Sequence, residues 1–339
     1  MGLLASQAAL FSAREAVSFP WMYEQIAANK RKAVFYVFLF FVIWVGIGAV
    51  IGLIFYPSRT NPDGSVTGTH PQAIVAGMVI AGLFALLATV FALSSGARLV
   101  LAVSGARPAD PQQYAQLHNI VEGLAIGDGL PKPAVYVIDD PSPNAFATGV
   151  SPNKAAITAT TGLLAMMNRE EVEGVIGHEM SHIKNYDVRL ILIVSTLIGL
   201  AGLIASVIWR SMFYMRWGGG GRDRDGGNAF IVVIAAAILL SIVGFIVGPL
   251  IRLAISRRRE ELADVSGVAL TRNPAGLISA LKKLEQNDKP FAKFNHATAA
   301  MCIDDPLQHH ESWFHHLFDT HPPLEERIAV LERIAHTGA

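Results

Sequence analysis

Cysteine is all but missing from this sequence. Its one copy, Cys302, excludes an intrachain disulfide and a zinc site built on thiolates. Any metal held by this chain must be held by histidine and carboxylates. Charge is scarce too: Asp, Glu, Lys and Arg make up 16% of the residues against 52% hydrophobic ones, which argues against an ordinary soluble protein and for a membrane protein. Neither sign prevails, with 27 Lys+Arg and 27 Asp+Glu, so the charge gives no reason to expect a nucleic-acid partner.

Long apolar runs stand where the charges are missing. Residues 33–56 carry no charged side chain. As a helix this run is roughly 36 Å long, enough to cross a bilayer with some tilt. It starts too late and runs too long for a cleaved secretory signal, so a retained anchor is expected. A second run covers about 73–93, a third 190–209 and a fourth 229–251, the last two joined by a Gly-rich connector over 217–228. Ser195, Thr196 and Pro249 interrupt the later pair, which therefore reads either as two further spans or as a buried helical hairpin. Between the second and third runs, residues 98–189 change character. They carry charges, the turn Pro131-Lys132-Pro133, and two β-branched runs, Ala134–Ile138 and Ala155–Thr160, expected as strands of a small sheet.

Cation placement orients the spans. Lys30, Arg31 and Lys32 abut the first run and Arg252, Arg257, Arg258 and Arg259 follow the fourth, whereas the loop after the first run holds only Arg59. Cations favour the cytoplasmic side, which puts the N-terminus and residues 98–189 there. Arg210, Arg216, Arg222 and Arg224 near the connector run against this placement.

The sharpest chemical signal is His178-Glu179-Met180-Ser181-His182. On a helix, positions i and i+4 share a face, so both imidazoles can address one ion, with Glu179 beside them as a base. Asn168 with Glu171 three residues on forms a capping pattern, and Val172, Val175 and Ile176 supply an apolar stripe. Catalytic zinc takes three protein ligands, and two histidines with a glutamate are one known set. Candidates for the third are Glu260 and its neighbour Glu261. Glu260 and Asp264 again stand at i and i+4, so one can bind metal while the other orients an imidazole from behind. His182 lies about 12 Å of helix before the third run and Glu260 about 13.5 Å after the fourth, so a helical hairpin returns both to nearly the same height.

These motifs, with Asn144-Ala145-Phe146-Ala147-Thr148-Gly149, Ser256-Arg257-Arg258-Arg259-Glu260, Thr320-His321-Pro322-Pro323 and Tyr23-Glu24-Gln25-Ile26, resemble the HtpX membrane metalloproteases over most of the chain. Two departures stand out: Glu261 replaces a residue that is usually aromatic in the family, and the first ~20 residues look like an extension. The resemblance implies a mainly α membrane protein with about four transmembrane helices and a gluzincin-like α+β zinc protease domain. It favours Glu260 as third ligand, gives Asp264 the task of orienting His178, and brings His321 to the oxyanion. It also puts Asn144 and Ala145 on a strand beside the substrate, although Asn144 after Pro143 reads equally well as a turn residue. Arg327 reads as an orienting or structural partner.

The organisation expected is a cytoplasmic extension (1–32), a transmembrane hairpin (33–97), a first protease segment (98–189), a second hairpin (190–251) and a second protease segment (252–339). The expected activity is zinc-dependent cleavage of misfolded or damaged membrane proteins, with one Zn²⁺ per chain, at the cytoplasmic face of the cell (inner) membrane. The alternatives are a CAAX-type prenyl-peptide endopeptidase and a membrane scaffold with structural zinc. The bilayer and membrane-protein or peptide substrates are the partners expected; oligomeric state is left open. His309, His310, His315 and His316 read as a solvated loop.

Overall fold

A computed structural model describes residues 20–55, 59–60, 66–67, 71–197, 257–286 and 323–337, with 199, 200, 206 and 210 besides. The extension 1–19, the connector, the fourth apolar run, part of the third, the His309–His316 cluster and His321 all lie outside them. The chain forms two compact units, one of residues 1–33, 95–192 and 251–339, the other of 34–94 and 193–250.

The second unit holds the apolar parts, residues 34–55 and 71–94, of α1 (Pro20–Phe55) and α2 (Pro71–Val103), with the short antiparallel strands β1 (Arg59–Thr60) and β2 (Val66–Thr67) between them; the start of α1, with Asn29, and the end of α2 belong to the first unit. Both helices are long and apolar enough to cross a membrane. At 33 residues α2 runs about 50 Å, well beyond a hydrocarbon core of about 30 Å. Phe35, Phe38, Ile80, Leu83 and Leu87 point outward, an arrangement that suits lipid. The helices touch where side chains vanish. A Cβ at Gly48 would collide with the backbone of Gly77, and one at Gly52 would lie 2.5 Å from the Ala73 carbonyl oxygen. Trp44 packs against Phe84 alongside, with ring centroids 4.5 Å apart and planes inclined by 51°.

The first unit is α+β. Its four-stranded sheet has the order β3-β4-β6-β5, with β3 Arg107–Pro108, β4 Ala134–Ile138, β5 Ala145–Gly149 and β6 Ala155–Thr160. The central pair β4–β6 is parallel, and both outer strands run antiparallel to their neighbours. The mixed sheet suits its position, since β6 is buried throughout and β4 at Val135, Val137 and Ile138, and both read as short apolar or β-branched runs. Around the sheet stand α3 (Ala115–Asp128), α4 (Thr161–Met166), α5 (Arg169–Lys184), α6 (Arg257–Thr271) and α7 (Pro274–Glu285). Helix α8 (Leu324–Thr337) packs on α7. The core draws Leu117 and Val121 from α3, Ile157 from β6, Val175 and Met180 from α5, Leu281 from α7 and Leu331 from α8.

The helix start expected at Asn168 is present as a closed capping box. The Asn168 side chain accepts from the Glu171 amide at 2.9 Å, and the Glu171 carboxylate accepts from the Asn168 amide at 2.7 Å. Glu171 is then tied to α7 by Ser279 and Lys283 at 2.6 and 2.7 Å. Burial raises its pKa, but these donors outweigh burial and hold the carboxyl below its usual range. This anchors the first turn of α5 and so fixes the register of the histidines two and three turns on.

Candidate active site

Two helices carry the site. The imidazoles of His178 and His182 on α5 face one another, with Nε2 atoms 3.2 Å apart. Glu260, in the first turn of α6, closes the triangle. Its Oε2 is 3.6 Å from His178 Nε2 and its Oε1 3.7 Å from His182 Nε2. The neighbouring candidate, Glu261, is exposed. Close approach of the helices makes the triangle possible. A Cβ at Gly267 of α6 would lie 2.8 Å from the His178 amide nitrogen, and one at Gly177 2.9 Å from the Thr271 side chain. Neither helix could come so near the other with a side chain there.

The three groups are buried and can hold a metal ion, with their ligand atoms all within 4.8 Å of one another. Zinc bonded at 2.0–2.1 Å to tetrahedral N and O ligands sets those ligands about 3.3 Å apart. The 3.2 Å between the imidazole nitrogens fits that requirement, and each of them has one of the two Glu260 oxygens at 3.6 or 3.7 Å.

Each histidine is backed by its own carboxylate. His178 Nδ1 donates to Asp264 Oδ1 at 2.8 Å and His182 Nδ1 to Asp187 Oδ2 at 3.1 Å. Donation from Nδ1 leaves the Nε2 lone pair free to face the cluster, the tautomer a metal ligand needs. Asp264 therefore stands behind His178 and not His182. Arg327 of α8 grips Asp264 in a fork, Nε to Oδ2 at 2.9 Å and Nη2 to Oδ1 at 2.7 Å, and is itself 1% exposed. Its Nη2 is also 3.4 Å from His178 Nδ1. The Nδ1–Oδ1 contact is the shorter, so Nδ1 keeps its proton and donates it to the Asp264 carboxylate.

Charge in the site is dense and unsolvated. Burial disfavours a charged imidazole, yet the carboxylates prevail: Glu260 and then Asp187 push His182 up to about 10, and Asp264 raises His178. Burial likewise opposes ionisation of Asp264, but Arg327 and then His178 hold it down to about 2. Three buried carboxylates around two imidazoles thus favour any cation that enters.

Glu179, 2% exposed, follows His178 on the same helix. Asn144 is buried just before β5, donating its amide to Thr160 Oγ1 at 2.9 Å and accepting the Ala145 amide on its own Oδ1 at 2.8 Å. Ala145 opens β5, an outer strand of the sheet that packs on α5. Three residues of the cluster's surroundings escaped the sequence reading: Asp187, Arg259 and Asn29. The signal available for Asp187 was a carboxylate one turn beyond His182, and Arg259 stands in the Ser256–Glu260 motif beside the expected ligand; nothing chemical marked Asn29.

This arrangement, two histidines one turn apart with an intervening glutamate and a distant glutamate from a second helix, belongs to metallopeptidases, and the comparisons agree. Residues 111–335 match the pattern of peptidase family M48, and the chain belongs to that family of metalloendopeptidases. Its relatives there are proteases of the HtpX type. An HtpX homolog of Streptococcus mutans is 42% identical, over 92% of this chain and all of the relative. One of Ligilactobacillus salivarius is 43% identical over the same shares, and one of Caldanaerobacter subterraneus 42% over 92% and 98%. The Ste24p crystal structure from S. mikatae covers 98% of this chain and 74% of its own at 17% identity, with a TM-score of 0.45. With its two apolar helices, the chain is a membrane metalloprotease.

Proposed function

We propose that this protease is zinc-dependent, spans the cell membrane about four times, and cleaves misfolded or damaged membrane proteins at the cytoplasmic face. The observation that carries the reading is the buried triangle of His178, His182 and Glu260 with a carboxylate behind each histidine. These three hold the zinc. Three protein ligands are the number found at catalytic sites, whereas structural zinc is usually closed by four, which weighs against a scaffold; the group has three members among the described residues. When bound, zinc supplies Lewis acidity that polarises a peptide carbonyl and makes water easier to deprotonate.

The chain's own groups do the rest. Glu179 takes a proton from the attacking water and passes it to the amide nitrogen as the C–N bond breaks. His321 donates to the developing oxyanion, a role assigned on the family motif. Asn144 and Ala145 hold the substrate backbone beside β5 by strand addition, a reading supported by the position of β5 at the sheet's edge. Asp264 keeps His178 in its ligating tautomer.

The test is zinc content and proteolysis of the purified full chain in detergent. Wild type should carry one zinc and lose cleavage on chelation, with recovery on adding zinc back. Glu260→Gln should lose most of its zinc, and Glu261→Gln should bind nearly as wild type does. A metal-free Glu261→Gln protein would overturn the ligand set. Topology is tested separately by reporter fusions at Gly64 and Gly127, expected on opposite sides with Gly127 cytoplasmic. Both reporters on one side would sink the two-span reading of the N-terminal half.

A further inference from the structure

We infer that Asn29, near the start of α1, is a positioning residue for the metal ligand His182, acting through Asp187. The inference deepens the zinc reading and rests on it.

Asn29 sits in a run of exposed cations, with Lys30, Arg31 and Lys32 following it, yet it is itself 3% exposed. Its side chain turns inward to the loop that ends the HExxH helix. Nδ2 donates to Asp187 Oδ1 at 2.6 Å and to the Asn185 carbonyl oxygen at 3.1 Å. Both partners are acceptors only, so the amide must present its NH₂ group and not its oxygen. Asp187 is fully buried, and its other oxygen takes the Nδ1 proton of His182 at 3.1 Å. One short chain of bonds therefore runs from α1 through the carboxylate to the imidazole.

The cation near Asp187 cannot do the same work. Arg259 Nη1 is 3.5 Å from Asp187 Oδ1, and its guanidinium nitrogens make no hydrogen bond among the described residues. It contributes charge without direction. Asn29 contributes direction, since rotation of the Asp187 carboxylate breaks the 2.6 Å bond together with the bond to His182. The loop itself needs holding. Tyr186 takes φ 59°, the left-handed region that side-chain-bearing residues avoid, between the two residues Asn29 grips. The Lys30 ammonium lies 4.5 Å from the Tyr186 ring centroid and clasps the same loop from the neighbouring position. A ligating imidazole must keep its ring plane and tautomer fixed, and the group that orients it must be held in turn. On this geometry, the helix that leads into the apolar segment is part of the metal site's support.

The experiment uses the full chain in detergent, stripped of metal, with zinc affinity read by competition against a chromophoric chelator. The d–d absorption of the Co²⁺-loaded protein gives a second readout, one that follows ligand geometry. Asn29→Ala should weaken zinc binding by about tenfold, the lower end for groups that support a ligand. Asn29→Asp, which turns a donor into a carboxylate facing Asp187, should weaken it further. Both should alter the cobalt spectrum, and Asn29→Ala added to Asp187→Asn should cost no more than Asp187→Asn alone. Wild-type affinity and an unchanged spectrum in Asn29→Ala, even with a lowered Tm, would overturn the inference; so would losses that add in the double variant. If Asn29→Ala is not recovered folded, Asn29→Ser decides. Its hydroxyl is too short to reach both acceptors, and wild-type affinity there overturns the inference equally. A wild type that binds no zinc ends the zinc reading and this one together. A zinc-loaded wild type beside an unaffected Asn29→Ala ends this one alone.

Discussion

Replacing Glu179 by Gln should lower kcat for peptide cleavage by about 10²–10⁴-fold, the usual worth of a positioned general base, while zinc content and Tm stay at wild-type values. The substitution keeps the shape of the side chain and removes only its capacity to take a proton. Glu179 lies between two proposed ligands on one helix but outside the triangle formed by His178, His182 and Glu260. Metal retention and loss of turnover should therefore separate cleanly. A variant that loses zinc would make Glu179 a support for the ligands, and one that keeps cleaving would put the base elsewhere.

The largest effect on stability should come from Arg327→Met. Arg327 is among the largest fully buried side chains, and its fork on Asp264 joins α8 to α6 behind His178. Removing it leaves a buried carboxylate without its main counter-charge, a change that typically costs about 3–5 kcal/mol. For a unit of this size that corresponds to a fall in Tm on the order of 10 °C. Arg327→Lys, which keeps the charge but cannot make the fork, should fall between. The pH dependence should change with it. Asp264 is held at about 2 in the native state, below its ordinary value of 3.8, so its contribution is complete above about pH 4 and is lost as pH falls towards 2. Arg327→Met should weaken this acid limb, because the larger of the two influences that depress Asp264 is gone while His178 remains. Thermal unfolding of the metal-free proteins at pH 3, 5 and 7 measures both effects. An unchanged Tm at pH 7 would mean that the fork contributes no net stability.

Much of the chain was legible as sequence because the signals are local. The i, i+4 spacing of His178 and His182 puts them on one helical face wherever that helix lies, and the Asn168–Glu171 capping box marks its start within four residues. Ala134–Ile138 and Ala155–Thr160 carry enough β-branched residues to read as strands, and charge-free runs of the length found in α1 and α2 have few alternatives to a long apolar helix. Weaker local signals did not mark β3, two residues with a proline; the strand at Ala145 was expected from the family resemblance alone, since β5 is Ala-Phe-Ala-Thr-Gly, stabilised by its register with β6 more than by its own propensity.

Only tertiary structure decided the contacts between distant segments. Spacing allowed Glu260 or Glu261 to face the histidines; the crossing of α5 and α6 at Gly177 and Gly267 turns Glu260 inward and leaves Glu261 exposed. It allowed Asp264 to reach either imidazole; packing against Arg327 sets it on His178, and Asp187 takes His182. Asn29 carried no chemical signal at all, since an asparagine in a cationic helix start is unremarkable until the fold buries it against Asp187. Periodicity fixes which residues share a face of one element, but which element that face meets depends on side-chain volume and close backbone approach across the whole unit.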